Sequence, residues 1–400
     1  MFGETLSGVR VLDVTRMIVG PTTTMLLADL GAEVIKVELP RGDDIRYMQT
    51  GSDPDDCPFF DAVNRNKQGI ILNYRLPEGR ELLLELAAQS DVFVHNYTPG
   101  VMEDWDLDYD AVRAVNPAII YCSISAFGER GPLRQRPGTD VLFQAASGMM
   151  SVTGERAGDP IRVGAPIIDV GTGISAALAI TAALYRRTTT SEGTYIGTSL
   201  FEQAVFLQAP MFTWHSRHSL EPPRLGNQSA IALIVDARIE DETIVLAVPT
   251  DKFWARLCEV LSVPGLIDDP RFATNSGRLE NQETLVPILR ERLATLTFQV
   301  ASDSLTKNQI PWAPVQSYDD VVEMEQLAAN GMLLPFDRSD DVTVRLVATP
   351  FRIGGESATI SRPPPIMGRD TEEVLRTKLD LSAERIAELN ASGITAPAPL

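Results

Sequence analysis

The sequence of 400 residues predicts an α/β protein, with a mostly parallel sheet in a large domain and a smaller α+β domain after it. Short runs rich in Val and Ile alternate with helical runs through the first third of the chain. A later stretch alternates in strand fashion and leads into an amphipathic helix. A hydrophobic content of 44% is enough for the cores of two such domains.

The first strand-helix-strand unit opens near the amino terminus. The letters VRVLDVT predict a strand, Gly20-Pro21 breaks it, TTTMLLADLGA predicts a helix ended by Gly31, and EVIKVELP predicts the next strand. The pattern repeats as GIILNY, PEGRELLLELAAQ and DVFVHNY, and then continues into AIIYCSISAF. Because strands joined by helices lie parallel, we expect one parallel sheet with a ligand site at the carboxyl ends of its strands.

The second half of the chain begins with the helical run AVFLQAPMFTWHSRH, and the proline-marked stretch EPPRLGNQS after it predicts a linker. Residues 231–248 alternate across the turn-like EDE, and DKFWARLCEVL predicts an amphipathic helix, so this part is expected to be α+β. Residues 396–400 form an Ala/Pro tail that we expect to be disordered.

Composition excludes several classes of protein. The net charge of -19 argues against a nucleic-acid partner or an anionic membrane surface. Cys57, Cys122 and Cys258 are far apart and form no C-x-x-C motif, so we expect no disulfide framework and no metal site. The amino terminus has no signal-peptide pattern, and the longest apolar run, around residues 174–184, is too short to span a bilayer. We therefore expect a cytoplasmic protein without a membrane partner.

Asp169 is the first candidate functional residue. It lies in the stretch IRVGAPIIDVGTGISAALAITAALYRR, where residues 162–168 predict a short strand and residues 174–185 predict a helix. A carboxylate at a strand-to-helix corner of an α/β sheet lies where ligands bind.

Two other interpretations of this stretch remain open. Asp169 could simply be the N-cap of the helix, since an Asp there accepts backbone N–H groups. Gly171, Gly173 and Ala176 also match the G-x-G-x-x-A pattern of dinucleotide-binding proteins. That pattern is weak here, because the charge of Asp169 would face the pyrophosphate and the fingerprint normally follows the first strand.

Basic residues are dense in the predicted loops of an otherwise acidic chain. Each one could be ordinary solvated surface. As a set they suit a ligand with several phosphates, held by guanidinium groups and helix N-termini. The set is Arg41, Arg46, Arg65, Lys67, Arg75, Arg130, Arg134 and Arg136.

Several segments together resemble the class III coenzyme A transferases of CaiB/BaiF type, which include formyl-CoA and carnitine CoA transferases. In the amino-terminal part these segments are LSGVRVLDVTRMIVGP, LADLGAEVIKVELPRGDDIR, NRNKQGIILN and VFVHNYTPGVME. Further along they are GTDVLFQAASGMMSVTG, PIIDVGTG, ALYRR with EGTYIGTSLFEQAV, and PPPIMGRDTEEVL. Their order and spacing span nearly the whole chain, so the resemblance is specific although no single motif decides it.

The resemblance implies a Rossmann-like large domain made of both chain ends and a homodimer of two interlocked subunits. On this basis we expect residues 1–205 and 327–400 to form the large CoA-binding domain. Residues 206–228 would be a linker, and residues 229–326 the small domain with its return linker.

The resemblance also implies the chemistry. The residue matching the family's nucleophile is Asp169, which at an ordinary pKa near 4 would be ionised at neutral pH and could attack a thioester. An aspartyl anhydride and an aspartyl-CoA thioester would follow, and CoA would pass from an acyl-CoA to a free carboxylic acid. Such intermediates hydrolyse readily, so we expect the site to exclude water, with backbone N–H groups near Asp169 and the glycines stabilising the oxyanions. We expect no tightly bound cofactor, because CoA acts as a substrate.

The residues that match the family's nucleotide and pantetheine contacts are spread over several predicted loops, and Arg75 would meet a phosphate. Leu39 and Pro137 stand where basic residues are common, so Arg41 and Arg136 are expected to substitute for them. The predicted CoA-binding residues are Val19, Arg41, Leu72, Asn73, Tyr74, Arg75, Asn96, Tyr97, Thr98, Arg136, Gly138, Thr139 and Asp140.

The family's glycine-rich acyl loop, known in formyl-CoA transferase, is missing. Gly226, Asn227 and Gln228 stand in its neighbourhood, so the resemblance does not extend to oxalate specificity. The donor and acceptor acids are expected to be chosen by side chains of the small domain and near Met149 and Met150.

A related fold carries a rival reaction, that of α-methylacyl-CoA racemases, which use a His in a G-H-D stretch. Here the stretch is Gly138-Thr139-Asp140, so the base is absent. His95 lies in the presumed nucleotide segment, and His215 and His218 are expected on a helix surface. A third class, a CoA-binding protein without catalysis, is disfavoured by the presence of Asp169.

Overall fold

The computed structural model describes residues 2–48, 53–337 and 343–395. The chain forms two compact units. The first contains Met1–Ser147, Val163–Thr213 and Gln326–Leu400, and the second contains Gly148–Arg162 and Trp214–Glu325. The tail at residues 396–400, predicted to be disordered, lies outside the described residues.

The described strands are β1 (Arg10–Val14), β2 (Glu33–Glu38), β3 (Lys67–Ile71), β4 (Val92–His95), β5 (Ile120–Ser125), β6 (Thr194–Ser199), β7 (Leu233–Ile239), β8 (Glu242–Val248), β9 (Trp312–Pro314), β10 (Leu333–Asp337) and β11 (Thr343–Val347). The first nine helices are α1 (Val19–Asp29), α2 (Pro58–Asn64), α3 (Pro77–Ala88), α4 (Val101–Asp104), α5 (Tyr109–Val115), α6 (Asp140–Ala146), α7 (Met149–Val152), α8 (Ile167–Thr190) and α9 (Leu200–Phe206). The remaining helices are α10 (Ala209–His218), α11 (Asp251–Val260), α12 (Asn275–Glu280), α13 (Gln282–Ala294), α14 (Phe298–Lys307), α15 (Tyr318–Val322), α16 (Glu325–Ala329), α17 (Thr371–Leu379) and α18 (Ala383–Ala391).

The first unit is built on a parallel sheet of six strands in the order β3-β2-β1-β4-β5-β6, which confirms the predicted parallel sheet. The chain proceeds outward from β1 to β3 and then returns to place β4 on the other side of β1. Loops that leave β1 and β4 therefore diverge and open a crevice at the carboxyl ends of the strands. Asn96 holds these two loops together, because its amide accepts the N–H of Arg16 at 2.9 Å and donates to the carbonyl of Arg16 at 2.7 Å.

Both faces of this sheet are covered, as the near-continuous apolar strands require. On one face Val11 and Ile120 pack with Leu27 of α1 and Ile180 of α8. On the other face the core is formed by Leu12, Ile35, Phe93 and Tyr121 with Leu83 of α3 and Val374 of α17. The carboxyl-terminal part also covers the edge of β3. There the side-chain carboxylate of Asp370 accepts the N–H of Gly69 at 2.7 Å, and the backbone N–H of Asp370 donates to the carbonyl of Gly69 at 3.0 Å.

The second unit contains the antiparallel sheet β7-β8-β9 and helices packed around Trp254, Phe272 and Leu289. The segment Gly148–Arg162 belongs to this unit, although the sequence analysis includes it in the large domain. Two contacts tie it there. The N–H of Gly226 donates to the carbonyl of Gly154 at 2.9 Å, and Arg156 pairs with Glu283 at 3.2 Å.

The helix α8 is the longest described helix and differs from its prediction. It is 24 residues long, so by length and composition alone it could cross a membrane. The prediction that the longest apolar run is too short to span a bilayer was therefore wrong. A core helix of a soluble protein passes the same test. Ile168, Ala176 and Ile180 are buried in the core, whereas Ile174 and Leu178 on the opposite side are exposed.

Candidate active site

A groove follows the carboxyl ends of the parallel strands of the first unit. One cavity of about 560 Å³ lies beside the loops that leave β1, β4 and β5. A second cavity of about 440 Å³ lies beside the loops that leave β2 and β3, and it shares Arg16, Arg41, Asp44 and Tyr97 with the first. The two cavities therefore form one extended groove at the switch point of the sheet, where α/β proteins bind their ligands.

Asp169 lies in this groove, but not at the predicted strand-to-helix corner. The predicted strand at residues 162–168 is wrong, because α8 begins at Ile167 and the residues before Pro166 form no strand. Pro160 and Pro166 remove backbone donors from this run, and the edge of the sheet beside β5 is already occupied by β6. Asp169 is thus the third residue of α8, in its first turn.

Asp169 is not the N-cap of α8 either. The N-cap is Pro166, which offers no side-chain hydrogen bond. The capping group comes instead from Asp140 of α6, whose Oδ2 accepts the N–H groups of Ile168 at 2.8 Å and Asp169 at 3.1 Å. Asp140 was predicted to contact CoA, but it does not line either cavity of the groove and its carboxylate is engaged by the start of α8.

The pKa of Asp169 differs from the ordinary value expected from the sequence. Burial of its carboxyl, and then the nearby charge of Asp140, raise the pKa of Asp169 to about 7. At neutral pH the protein therefore holds a mixture of the protonated and ionised forms of Asp169. An ionised carboxylate with a raised pKa is a more basic and less solvated nucleophile than an ordinary surface Asp.

The first turn of α8 has no spare backbone donors, so the predicted oxyanion contacts there were wrong for this structure. Besides the two amides bound by Asp140, the N–H of Ile167 donates to Ala165 at 2.9 Å and that of Val170 donates to Pro166 at 3.0 Å. Gly171 and Gly173 lie inside the helix rather than in a loop.

Gly173 has a packing role, and the position of both glycines inside α8 rules out the dinucleotide interpretation. A Cβ on Gly173 would lie 2.8 Å from Thr22 Cγ2 and 3.0 Å from the carbonyl oxygen of Val19, so α8 crosses α1 at very short range. A phosphate-binding glycine loop would have to precede the helix, and here helix α8 already contains both glycines.

Most of the predicted CoA-binding residues lie in the groove. Leu72 does not, because its side chain is buried in the core behind the sheet. Arg136 also lies outside it, with its guanidinium 5.9 Å from the ring of Phe127. Those that line one of the two cavities are Val19, Arg41, Asn73, Tyr74, Arg75, Asn96, Tyr97, Thr98, Gly138 and Thr139.

Several residues that line the groove were not predicted from the sequence, and four of them lie beside the switch point. Arg16 and Met17 follow β1, and Tyr47 and Met48 end the short 3-10 helix after β2. The guanidinium of Arg16 lies 5.0 Å from the ring of Tyr97 and donates to Asp44 at 3.0 Å. Their position directly after β1 and β2, beside the switch point, was the signal that could have found them.

Three of the predicted phosphate-binding residues are buried ion-pair partners instead. Arg46 pairs with Glu38 at 2.8 Å, Arg65 with Asp29 at 2.6 Å, and Lys67 with Asp13 at 3.1 Å. Their side chains are at most 1% exposed, so none is available to a ligand. Arg16, Arg41 and Arg75 are the cationic side chains among the described residues that line the groove.

No described histidine lines the groove. His95 is buried at the end of β4, where its Nδ1 accepts the N–H of Tyr97 at 3.3 Å and burial lowers its pKa to about 3. It lines a separate cavity of about 340 Å³, and His215 and His218 lie on α10. Within the described ranges, no group of three or more His, Cys, Asp or Glu side chains is placed to hold a metal ion.

The sheet order and the groove define an α/β ligand-binding protein of Rossmann type, with one carboxyl in the first turn of a helix facing the ligand site. Residues 6–371 match the family model described as CoA-transferase family III. The chain belongs to that family and is a family III CoA-transferase, as the resemblance predicted.

Relatives of known name and solved structure agree with this assignment. The chain is 34% identical over 391 residues to the succinyl-CoA:glutarate CoA-transferase of Mus musculus, covering 97% of this chain and 90% of that protein. It is 32% identical over 410 residues to the formyl-CoA:oxalate CoA-transferase of Streptomyces avermitilis, covering 98% and 99%. The structure of a CaiB/BaiF family protein from Brucella suis matches with a TM-score of 0.81 and 31% identity, covering 93% and 99%.

Proposed function

We propose that this enzyme moves coenzyme A from an acyl-CoA to a free carboxylic acid, with Asp169 as the nucleophile. One observation carries the proposal. The other carboxylates of the groove are paired with cations, Glu38 with Arg46, Asp43 with Lys36 and Asp44 with Arg16. Among the described carboxylates that line the groove, Asp169 has no such partner, so its charge is free to attack.

The proposed first half-reaction has two steps. A carboxylate oxygen of Asp169 attacks the thioester carbonyl, the C–S bond breaks, and CoA thiolate leaves behind a mixed anhydride. The thiolate then attacks the Asp169 carbonyl carbon, which releases the donor as a free carboxylate and leaves an aspartyl-CoA thioester. The first step exchanges a C–S bond for a C–O bond and the second exchanges a C–O bond for a C–S bond, so the half-reaction balances without an oxidant or a reductant.

The second half-reaction reverses these steps with another acid. The acceptor carboxylate attacks the aspartyl thioester, and CoA thiolate leaves. The thiolate then attacks the acyl carbon of the new anhydride, giving the product acyl-CoA and the free carboxylate of Asp169. Water would hydrolyse either covalent intermediate, so the bound substrate must close the groove to solvent.

We propose dicarboxylic acids as the class of acceptor. Support comes from relatives named for succinyl-CoA with glutarate and for formyl-CoA with oxalate. Arg41 and Arg75 in the nucleotide end of the groove are suited to the phosphates of CoA. A screen of acyl-CoA donors against free dicarboxylates and hydroxy acids, read by mass spectrometry of the CoA products, identifies the pair.

Hydroxylamine added with an acyl-CoA donor tests the covalent steps. It reacts with an anhydride or a thioester but not with a resting carboxylate, so we expect a hydroxamate at Asp169 and none in Asp169→Asn. The rival α-methylacyl-CoA racemase reaction would leave Asp169 unmodified and exchange the α-proton of a 2-methylacyl-CoA with deuterium from solvent. That result would overturn the transferase mechanism for this chain.

We also propose a cytoplasmic homodimer, with the subunits interlocked as the family resemblance implies. Ile174, Leu178 and Tyr185 of α8 are 49%, 71% and 78% exposed, which supports a partner surface on this side of the helix. Cys57, Cys122 and Cys258 are all free thiols, which suits a reducing compartment. Light scattering on dilution tests the dimer, and a folded monomer would contradict the interlocked arrangement.

A further inference from the structure

Gln144 of α6 connects two parts of the chain that meet at the start of α8. Its side chain is 1% exposed, and it does not line either cavity of the groove. Its Nε2 donates to Asp140 Oδ1 at 2.5 Å, and its Oε1 accepts the N–H of Val163 at 2.8 Å. One amide therefore joins the carboxylate that caps α8 to the segment that leads into α8.

This connection constrains the orientation of Asp169. The other oxygen of Asp140, Oδ2, accepts the N–H groups of Ile168 and Asp169, so it holds the helix turn that carries the Asp169 side chain. A carboxylate with one fixed oxygen can still rotate about its side-chain torsions. The hydrogen bond from Gln144 to Oδ1 removes that freedom. The N-cap residue of α8 makes no side-chain capping bond, so it would not replace the hydrogen bonds from Asp140 if the Asp140 side chain turned away.

We propose that Gln144 is a positioning residue, which acts through Asp140 to hold the Asp169 carboxyl in line with the thioester of bound acyl-CoA. The inference rests on the proposed role of Asp169 as the nucleophile. A displacement of a reacting group by about 1 Å costs on the order of 100-fold in rate. Loss of the Gln144 amide is therefore expected to lower kcat roughly 10-fold to 100-fold while CoA affinity stays within about twofold.

The exchange Gln144→Glu gives a signature that a merely structural role would not. A protonated glutamic acid can donate its O–H to Asp140 and accept the N–H of Val163, as the glutamine does. An ionised glutamate cannot donate to Asp140 and repels it. The variant is therefore expected to match the wild-type rate at low pH and to fall further below it as pH rises.

The charges around this group support that expectation. In the described part of the chain no ion pair involves Asp140. The charged residues in the first turns of the helices that pack against α6 are Asp169 of α8 and Glu202 of α9, and Arg162 directly precedes Val163 in the segment that Gln144 binds. Because the pKa of Asp169 is raised to about 7, the wild-type rate itself rises with pH, so the signature is the ratio of the Gln144→Glu rate to the wild-type rate, which falls as pH rises.

The test compares the full-length wild type with Gln144→Glu, Gln144→Met and the control Gln208→Met. Gln208 is also a buried glutamine beside α6, 7% exposed, but its Nε2 donates to Ser147 and Ala204 and not to Asp140. The measurements are kcat from about pH 6 to about pH 8, the Kd of CoA, and the hydrogen exchange of the Ile168 and Asp169 amides.

We expect Gln144→Met to lose kcat and amide protection, and Gln208→Met to match the wild type. For Gln144→Glu we expect the ratio of its kcat to the wild-type kcat to fall as pH rises. Wild-type kcat and pH profile in folded Gln144→Glu overturn the inference, as does unchanged amide protection in Gln144→Met. If Gln144→Met does not fold, the pH profile of Gln144→Glu still decides. Turnover by Asp169→Asn would instead refute the proposed function. If Asp169→Asn is inactive but the Gln144 variants keep wild-type activity, only the positioning role of Gln144 is refuted.

Discussion

The carboxylate of Asp140 accepts the backbone N–H of Asp169 at 3.1 Å and, through its charge, makes ionisation of the Asp169 side chain more difficult. The same residue thus holds the helix turn that carries Asp169, the proposed nucleophile, and raises the pKa of the Asp169 carboxyl. Because the amides at the start of α8 bind Asp140, they do not stabilise the negative charge of Asp169, as helix N-termini otherwise do. This arrangement keeps an incompletely solvated carboxyl in the groove.

The rate of CoA transfer is expected to rise with pH through about 7. Only the ionised form of Asp169 can attack a thioester, and burial with the charge of Asp140 raises its pKa to about 7 in the free enzyme. The pH profile of kcat/KM reports that ionisation, so it should rise about tenfold per pH unit below the midpoint and level off above it. A profile that is flat between about pH 5 and about pH 8 would contradict the raised pKa.

Asp140→Asn is expected to move that midpoint to lower pH. Removing the like charge favours the ionised form of Asp169, so its pKa falls, while the remaining side-chain oxygen can still accept a hydrogen bond from α8. The midpoint of kcat/KM measures the shift, and the maximal rate measures any loss of alignment. A midpoint that stays in place would show that burial alone raises the pKa of Asp169.

Asp169→Asn is expected to stabilise the fold at alkaline pH. A carboxyl with a raised pKa in the folded state binds its proton more tightly there than in the unfolded chain. The free energy of unfolding therefore falls as pH rises from about 4 to about 7, and the loss persists above that range. The neutral amide avoids this loss, which should increase stability at pH 8 by up to about 4 kcal/mol and change it little near pH 4. Urea unfolding of wild type and Asp169→Asn at the two pH values measures the difference in stability. Equal gains in stability at both pH values would contradict a raised pKa of Asp169 in the folded state.

Gly173→Ala is expected to damage the crossing of α8 and α1, and Gly171→Ala provides the matched control. The Cβ added at Gly173 meets Thr22 Cβ at 2.9 Å and the backbone oxygen of Val19 at 3.0 Å, which leaves little room for adjustment. Overpacking of this kind costs about 1–3 kcal/mol. Because Val19 also lines the groove, the variant should bind CoA more weakly as well.

At Gly171 the nearest atom is the amide nitrogen of Gln203 at 3.1 Å, at the end of a flexible side chain. Alanine there also gains roughly 1 kcal/mol of helix propensity. Urea unfolding of the two variants should therefore rank Gly171→Ala above Gly173→Ala by a clear margin. Equal stabilities would show that the close crossing in the structure relaxes without cost.

The parallel sheet was predictable because it depends on local periodicity. The strands β1 to β5 coincide with apolar runs separated by helical patterns, and Gly31 ends its helix with a φ of +99° that favours glycine. The start of α8 was not predictable in the same way. Residues 162–168 are as β-branched as a strand, but the sheet had no free edge for them, and only the tertiary arrangement decides that.

The presence of Asp169 and of most of the predicted loops in the groove was predictable from the sequence. The buried charges were not, because their partners lie far away in sequence. Arg65 pairs with Asp29 across 36 positions, and Lys67 pairs with Asp13 across 54. A basic residue beside a predicted strand end has the same appearance in sequence whether it binds a phosphate or a buried carboxylate. The capping of α8 by Asp140 was hidden for the same reason.

Arg46→Met and Arg75→Met are expected to differ in their effects on stability and on CoA binding, because Arg46 is buried and Arg75 lines the groove. Arg46 donates twice to Glu38 and once to Asp55, and its guanidinium lies 3.5 Å from the ring of Phe60. Removing it leaves the buried carboxylate of Glu38 without its closest cation, which costs about 3–5 kcal/mol of folding free energy. Urea unfolding should show this loss in Arg46→Met.

Arg75 is exposed, lines the cavity beside the loops that leave β2 and β3, and lies 5.1 Å from the ring of Trp105. Its replacement should change stability by no more than about 0.5 kcal/mol. It should weaken CoA binding roughly tenfold or more, because a charge-assisted bond to a phosphate contributes about 1.5–3 kcal/mol. Calorimetric titration of CoA into both variants completes the test. Wild-type CoA affinity in Arg75→Met would remove it from the CoA site, and wild-type stability in Arg46→Met would contradict the structural role of the buried pair.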